Sequence, residues 1–244
     1  MGYLIGDGAA AKPMTKMLIG NGAGGTVPIQ KIMAGTGAAA VEVWPGKKKF
    51  SDNFDRADAV LGTVDGWYST TTASPYYLWA VGGNARVFEN STDGSRSGYS
   101  NWNEDTKTGV QYSKGTLATV GASARGTWCM VHANQTMTDY MGLQWNGDGA
   151  LALFTSVGGT IRKNTTKTQN VGDTLELRSR LDVDGKYVYE AWINGLMVID
   201  WKDSTNIVNT DLNHRRVGFG MQRNRAFFNS TFSAQFSEWE GGDY

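Results

Sequence analysis

Cysteine is nearly missing from this 244-residue chain: Cys129 stands alone, so neither an intrachain disulfide nor a cysteine-built zinc site can form. It lies in the alternating stretch Thr127-Trp-Cys-Met-Val131, where a small buried thiol is expected. Charge of one sign is also lacking. Lys and Arg number 23, Asp and Glu number 23, and no block of either sign occurs, which removes the electrostatic footprint of a nucleic-acid partner. No stretch approaches the ~20 apolar residues of a bilayer-spanning helix, so no membrane insertion is expected. The opening MGYLIGDGAAAKPM has neither the basic start nor the apolar centre of an export signal, which points to synthesis in a cytoplasm. Proline is scarce, and three of the four, Pro13, Pro28 and Pro45, fall within the first 46 residues.

That front segment, 1–46, is rich in Gly and Ala and poor in aromatics. It reads as a docking arm that orders against a neighbouring subunit. It contains a weak repeat, Lys16-Met-Leu-Ile-Gly-Asn-Gly against Lys31-Ile-Met-Ala-Gly-Thr-Gly, each copy a short apolar strand running into a glycine turn. Neither Gly-rich stretch ends in Gly-Lys-Ser/Thr or leads into an amphipathic helix, so neither is a phosphate loop.

From residue 47 to 244 the pattern changes to short alternating stretches broken by Gly, Asn and Asp. Thr174–Val183 puts Leu175, Leu177, Leu181 and Val183 on one face and Glu176, Arg178, Arg180 and Asp182 on the other. Asp184-Gly185 and Asn194-Gly195 then divide 174–201 into a three-stranded meander, Asn-Gly being the strongest short hairpin signal because both residues accept positive φ. Further strands are expected at 116–121, 126–132, 140–145, 150–156, 159–164, 215–221 and 230–239. Nine tryptophans, ten tyrosines and nine phenylalanines supply a thick core, and no interval holds a helical period, so two packed antiparallel sheets are expected. The fold class is all-β.

Ser51-Asp-Asn-Phe-Asp-Arg-Ala-Asp58, then Leu61-Gly62 and Gly66-Trp67, resembles the opening strand of concanavalin-like (laminin-G-like) jelly rolls, which pairs with the last strand. Arg216–Met221 and Ser233–Trp239 look like the closing strands, and Tyr189–Val198 like the family's hairpin. The resemblance covers roughly 50–240 and implies a two-sheet sandwich, with calcium a possible cofactor on Asp52, Asp55 and Asp58. Ahead of such a domain, Lys31-Ile-Met-Ala-Gly35 leading to Val41-Glu-Val-Trp-Pro45 resembles virion proteins of tailed phages of actinobacteria, especially minor tail proteins. That resemblance implies a structural protein of the virion, a homo-oligomer anchored by its arm among other virion subunits, or else a capsid decoration protein. It also fits the missing export signal, since virions leave by lysis.

The residues themselves argue against catalysis. No Glu-x-Asp-x-x-Glu run supplies the flanking carboxylates of a glycosidase, and Glu238 and Glu240, which share a strand face, read as solvated. His132 and His214 lack ligand spacing and read as structural, and no Gly-x-Ser-x-Gly elbow occurs. No catalytic residue or metal ligand is therefore assigned, and a glycan-cleaving tail enzyme and a free lectin are the rivals. Trp67, Tyr76, Tyr77, Tyr99 and Trp102 lie in Ser-, Thr-, Gly- and Asn-rich sequence that reads as long loops. Aromatic faces beside amides suit sugar rings, so these five are the expected contacts for a host glycan, with 90–105 the expected exposed recognition loop.

Overall fold

The computed structural model describes residues 47–62, 66–69, 78–88 and 93–244, together with the backbone of four short strands before them. The chain divides into two compact units, Met1–Lys47 and Lys48–Tyr244. In the first, β1 (Leu18–Gly20) pairs with β2 (Thr26–Pro28), and β3 (Ile32–Gly35) with β4 (Ala40–Trp44), both antiparallel. Each copy of the weak repeat thus contributes the opening strand of a hairpin.

The second unit is a sandwich of two antiparallel sheets. In spatial order the first sheet runs β15 (Thr160–Thr166), β14 (Ala150–Thr155), β13 (Met141–Asn146), β12 (Gly126–Ala133), β19 (Arg216–Ala226), β10 (Gly94–Trp102) and β7 (Trp67–Tyr68), with β20 (Asn229–Phe232) beside β19. The second runs β18 (Leu196–Lys202), β17 (Tyr187–Ile193), β16 (Thr174–Leu181), β11 (Gln111–Leu117), β21 (Phe236–Asp243), β9 (Asn84–Val87), β8 (Leu78–Val81) and β6 (Ala59–Val60), with β5 (Lys49–Asp52) beside β21. The helical content among the described residues is one 3-10 turn, Val157–Gly159. Between the sheets, Phe54, Trp67, Trp145, Phe219, Phe236 and Trp239 are each at most 1 % exposed. Burying side chains of this size is the main stabilising term, about 1.5–3 kcal/mol for each one of Phe or Leu size.

The 51–67 motif is explained by one carboxylate. β5 pairs with β21, Asp52 opposite Trp239, so the opening strand closes on the last. Asp52 then accepts the Phe54 backbone N–H at 2.8 Å, the Trp67 indole N–H at 2.7 Å and the Arg56 guanidinium. Phe54, held at φ +55°, drops its ring between Trp67 and Phe219, with centroids 6.4 and 5.9 Å away. Asp, Phe, Arg and Trp in this spacing form one hydrogen-bonded corner of the core.

The meander forms as the turn chemistry dictates. Asn194 (φ +52°) and Gly195 (φ +76°) are the two turn residues, and Ile193 pairs with Leu196. Several expected boundaries move. The strand at 174 ends at Leu181, and Leu181 and Val183 are 37 % and 104 % exposed, because the turn closed by Asp182 and Lys186 carries them past the end of the core. The strand expected at 116–121 is Gln111–Leu117, whose polar Gln111 and Ser113 are buried by hydrogen bonding rather than by apolar character. The segment 230–239 is two strands, because Ser233-Ala-Gln235 carries the chain from the first sheet to the second.

Candidate functional site

The outward faces of the two sheets differ in chemistry. On the second sheet, Lys114 opposes Glu176 and Glu240, and Arg178 opposes Glu190. Arg178 pairs with Glu176 at 2.6 Å and lies 4.0 Å from the Trp192 ring centroid and 4.5 Å from that of Tyr244. A groove of ≈ 370 Å³ on this face includes Asn53, Lys114, Thr116, Glu238 and Glu240. Here the two glutamates are already engaged: Thr116 donates to Glu238 at 2.8 Å, and Glu240 meets Lys49 at 2.7 Å and Lys114 at 3.5 Å. Burial alone would raise the Glu240 pKa, but the Lys49 hydrogen bond and the two lysine charges outweigh it and hold it below the usual range.

The outward face of the first sheet is built from aromatic rings, amides and glycines. Gly220 lies opposite Trp128 on the neighbouring strand, and a Cβ there would come within 2.2 Å of the indole, so glycine lets the ring lie flat on the sheet. Gly142 does the same for Phe154, at 2.5 Å. Trp128, Met130, Ala133, Met137 and Tyr140 form a second apolar cluster, with Tyr68, Tyr99 and Phe154 packed at its edge. Tyr99 lies 5.2 Å from Trp128 and 6.2 Å from Tyr140, which is 5.8 Å from Phe154. Burial, then the neighbouring Tyr99, raises the Tyr140 pKa, so its hydroxyl stays protonated. All eight residues of β12 are buried, because the core covers one side and this cluster the other.

The segment from Asn134 to Asp139 straps this cluster down at one end. Asn101 donates to the carbonyls of Asn134 and Gln135 at 3.1 and 3.0 Å. Asp139 meets Asn209 at 2.6 Å and His214 at 3.2 Å, while His214 also contacts Asp211 at 2.7 Å. Beyond the strap the face opens into a groove of ≈ 490 Å³ over β13–β15. Ala152, Phe154 and Ile161 make its apolar part, and Gln144, Asn146 and Asn164 bring amides, with no charged side chain in the lining.

The expected contact residues divide. Tyr99 lies on this outward face, half-buried against Trp128. Trp67 has no exposed surface: it is packed 4.6 Å from Trp239 and 5.0 Å from Phe219, so it is a core residue and not a ligand platform. Trp102 points the same way, stacked on Phe50 at 5.5 Å and on Trp239 at 6.0 Å. Tyr76 and Tyr77 lie outside the described residues. The expected recognition loop at 90–105 is, over Gly94–Trp102, an inner strand of the first sheet paired to β19 and β7. Its Ser and Gly residues hid a period of two that puts Ser97, Tyr99 and Asn101 outward and Ser100 and Trp102 inward. Phe154, Gln144, Asn146 and Asn164 come together only through strand register, so no local pattern marks them as one site.

Two of the three aspartates expected to offer oxygens to calcium have partners within the protein. Asp52 is engaged as described, and Asp58 accepts the Gly82 N–H at 2.9 Å. Among the described residues no three His, Cys, Asp or Glu side chains gather as a metal would require. His132 touches Ser179 at 3.3 Å, but both are fully buried, and burial drives the His132 pKa down to about 3, leaving it neutral. Burial likewise pushes the Cys129 thiol up to about 12.

These features define an all-β concanavalin-like jelly roll with one charge-paired face and one uncharged aromatic–amide face. No protein-family model matches the chain, and a search of curated proteins finds no relative. Among solved structures, a protein from work on endo-acting O-glycanases that initiate mucin breakdown, expressed by human gut microbiota, is 9 % identical over 79 % of this chain and 97 % of its own, with TM-score 0.51. A carbohydrate-binding module, CBM66, from Bacillus subtilis is 11 % identical over 73 % and 92 %, with TM-score 0.44. The lectin UEA-II, solved with galactose, is 9 % identical over 81 % and 99 %, with TM-score 0.48. At such identities the likeness is one of fold, and nothing in the comparisons indicates a virion protein.

Proposed function

We propose that this protein is a non-catalytic glycan-binding jelly roll whose ligand lies in the groove over β13–β15. The observation that carries this reading is the groove lining: an apolar wall of Phe154 and Ile161 beside the amides of Gln144, Asn146 and Asn164, without a charge. A neutral sugar ring has the same two-sided character, an apolar C–H face and a hydroxyl rim. The lectin-like fold supports the reading, as does the absence of carboxylates from that lining, which leaves no acid–base pair beside a bound sugar. Binding of neutral oligosaccharides to the full-length protein, measured by calorimetry and compared with Phe154→Ala, tests it. Unchanged affinity in that variant removes the groove from consideration.

Within this reading we propose a virion setting, in which residues 1–46 anchor a homo-oligomer to a phage tail and the sandwich displays its glycan-binding face. The support is the sequence resemblance of 31–45 to actinobacteriophage tail proteins. A free lectin fits the fold equally well. Immunogold labelling of purified virions separates the two.

A further inference from the structure

The groove over β13–β15 has a direction, and strand register sets it. β14 runs between β13 and β15, and its alternation turns Leu151 and Leu153 into the core and Ala150, Ala152 and Phe154 outward. Across the strands, Ala152 pairs with Gln144 on one side and Asn164 on the other; Ala150 pairs with Thr166 and lies beside Asn146, which follows the Trp145–Leu151 pair. Twice in succession a short alanine thus stands between two longer polar side chains. The result is a trough parallel to β14, with alanines for its floor and amides and a hydroxyl for its walls. Gln144 donates to Asn146 at 2.6 Å, which fixes one wall and leaves the Gln144 carbonyl oxygen and the Asn146 amide hydrogens for a ligand. On the other wall, the Asn164 amide and the Thr166 hydroxyl have no side-chain hydrogen bond among the described residues.

Glycines mark both ends of the trough. Phe154 leans sideways over Gly142, where a Cβ would meet its ring at 2.5 Å, so it extends the floor as an apolar platform instead of closing it. Past it the lining ends at Gly159, with φ +58° and open space where a Cβ would be. At the other end the turn is Gly147-Asp148-Gly149, and the Asp148 carboxylate is folded back onto the Ala150 N–H at 3.1 Å. At about 3.3 Å per residue, Ala150 to Phe154 gives a floor on the order of 13 Å long, more than one pyranose ring needs. We propose, resting on the glycan-binding reading above, that the ligand is a linear, unbranched neutral polysaccharide whose internal units lie lengthwise along β14, one ring on Phe154 and the next over Ala152 and Ala150. A pocket for a terminal sugar needs a closed end, and a chain crossing the strands would run into the amide walls. The trough leaves the lengthwise path open, with an aromatic face at one end of it and hydrogen-bonding groups along both sides.

The test is calorimetry of the full-length protein with linear neutral oligosaccharides of the β-1,3-glucan, β-1,4-glucan, α-1,4-glucan, mannan, xylan and chitin series, each from the monosaccharide to the hexasaccharide, and with hexasaccharides methylated at both terminal units. Ala150→Arg raises a side chain from the exposed floor at the end away from Phe154, and its thermal midpoint is measured beside the parent's. Thr166→Ala, which removes the wall hydroxyl at the same end, is the milder second variant. The expected result is affinity that rises about tenfold or more from monosaccharide to hexasaccharide and is indifferent to the methyl caps. Ala150→Arg should lose that gain, and Thr166→Ala should cost the hexasaccharide more than the disaccharide. A monosaccharide bound as tightly as the hexasaccharide, binding abolished by the caps, or a gain from length that survives both substitutions overturns the lengthwise chain while the glycan reading stands. Absence of binding in every series, or affinity indifferent to Phe154→Ala, contradicts the glycan reading itself and this proposal with it.

Discussion

Replacing Asp52 with Ala removes the acceptor on which the Phe54 N–H, the Arg56 guanidinium and the Trp67 indole N–H converge. The carboxylate is 5 % exposed and Trp67 fully buried, so water cannot substitute freely for the lost acceptor. A hydrogen bond to a charged group contributes about 1.5–3 kcal/mol, and a buried donor left unsatisfied costs about 1–3 kcal/mol. The three bonds share one carboxylate and do not add, so the expected loss is that of breaking a buried ion pair, about 3–5 kcal/mol. Against a total stability of about 5–15 kcal/mol this is a large fraction. Urea unfolding followed by tryptophan fluorescence should show a lower midpoint with an unchanged slope. Asp52→Asn, which keeps an oxygen in place, should lose less. A loss below about 1 kcal/mol for Asp52→Ala would refute the claim that the 51–67 motif is a structural corner.

Gly195→Val should destabilise by about 1 kcal/mol or more in the same assay, because a β-branched residue resists the φ of +76°. His132 titrates near 6.5 unfolded and about 3 folded, so the unfolded chain takes up its proton first. Stability from this group is complete above about 6.5 and is lost as pH falls towards about 3; His132→Gln should flatten that part of the stability–pH curve. Deleting residues 1–46 should leave a sandwich with a cooperative unfolding transition that no longer assembles into oligomers or particles. Loss of the transition would make the arm part of the core, and normal assembly would show that the sandwich itself makes the contacts.

Legibility in the sequence followed the range of the interaction. Asn194-Gly195 and the inward pair Leu175 and Leu177 of β16 are local, and both appear where turn chemistry and period two put them, whereas Leu181 and Val183 lie past the end of the core. Gly94–Trp102 has the composition of a loop because its outward residues are serine, tyrosine and asparagine, alternating with glycine and serine. Trp67 and Trp102 carried no local mark of burial; their place was decided by Asp52 and by Trp239, far along the chain. The uncharged groove draws on β13, β14 and β15, and the flatness of its floor depends on glycines such as Gly142, which meet their rings only across strands.

The most direct test of the account is a glycan array probed with the full-length protein, followed by calorimetry on the best neutral ligand with Phe154→Ala, Asn164→Ala and, on the opposite sheet, Thr116→Ala. The account predicts that the first two weaken binding about tenfold or more while Thr116→Ala leaves it unchanged. Binding lost only in Thr116→Ala, or no neutral glycan bound at all, would contradict it.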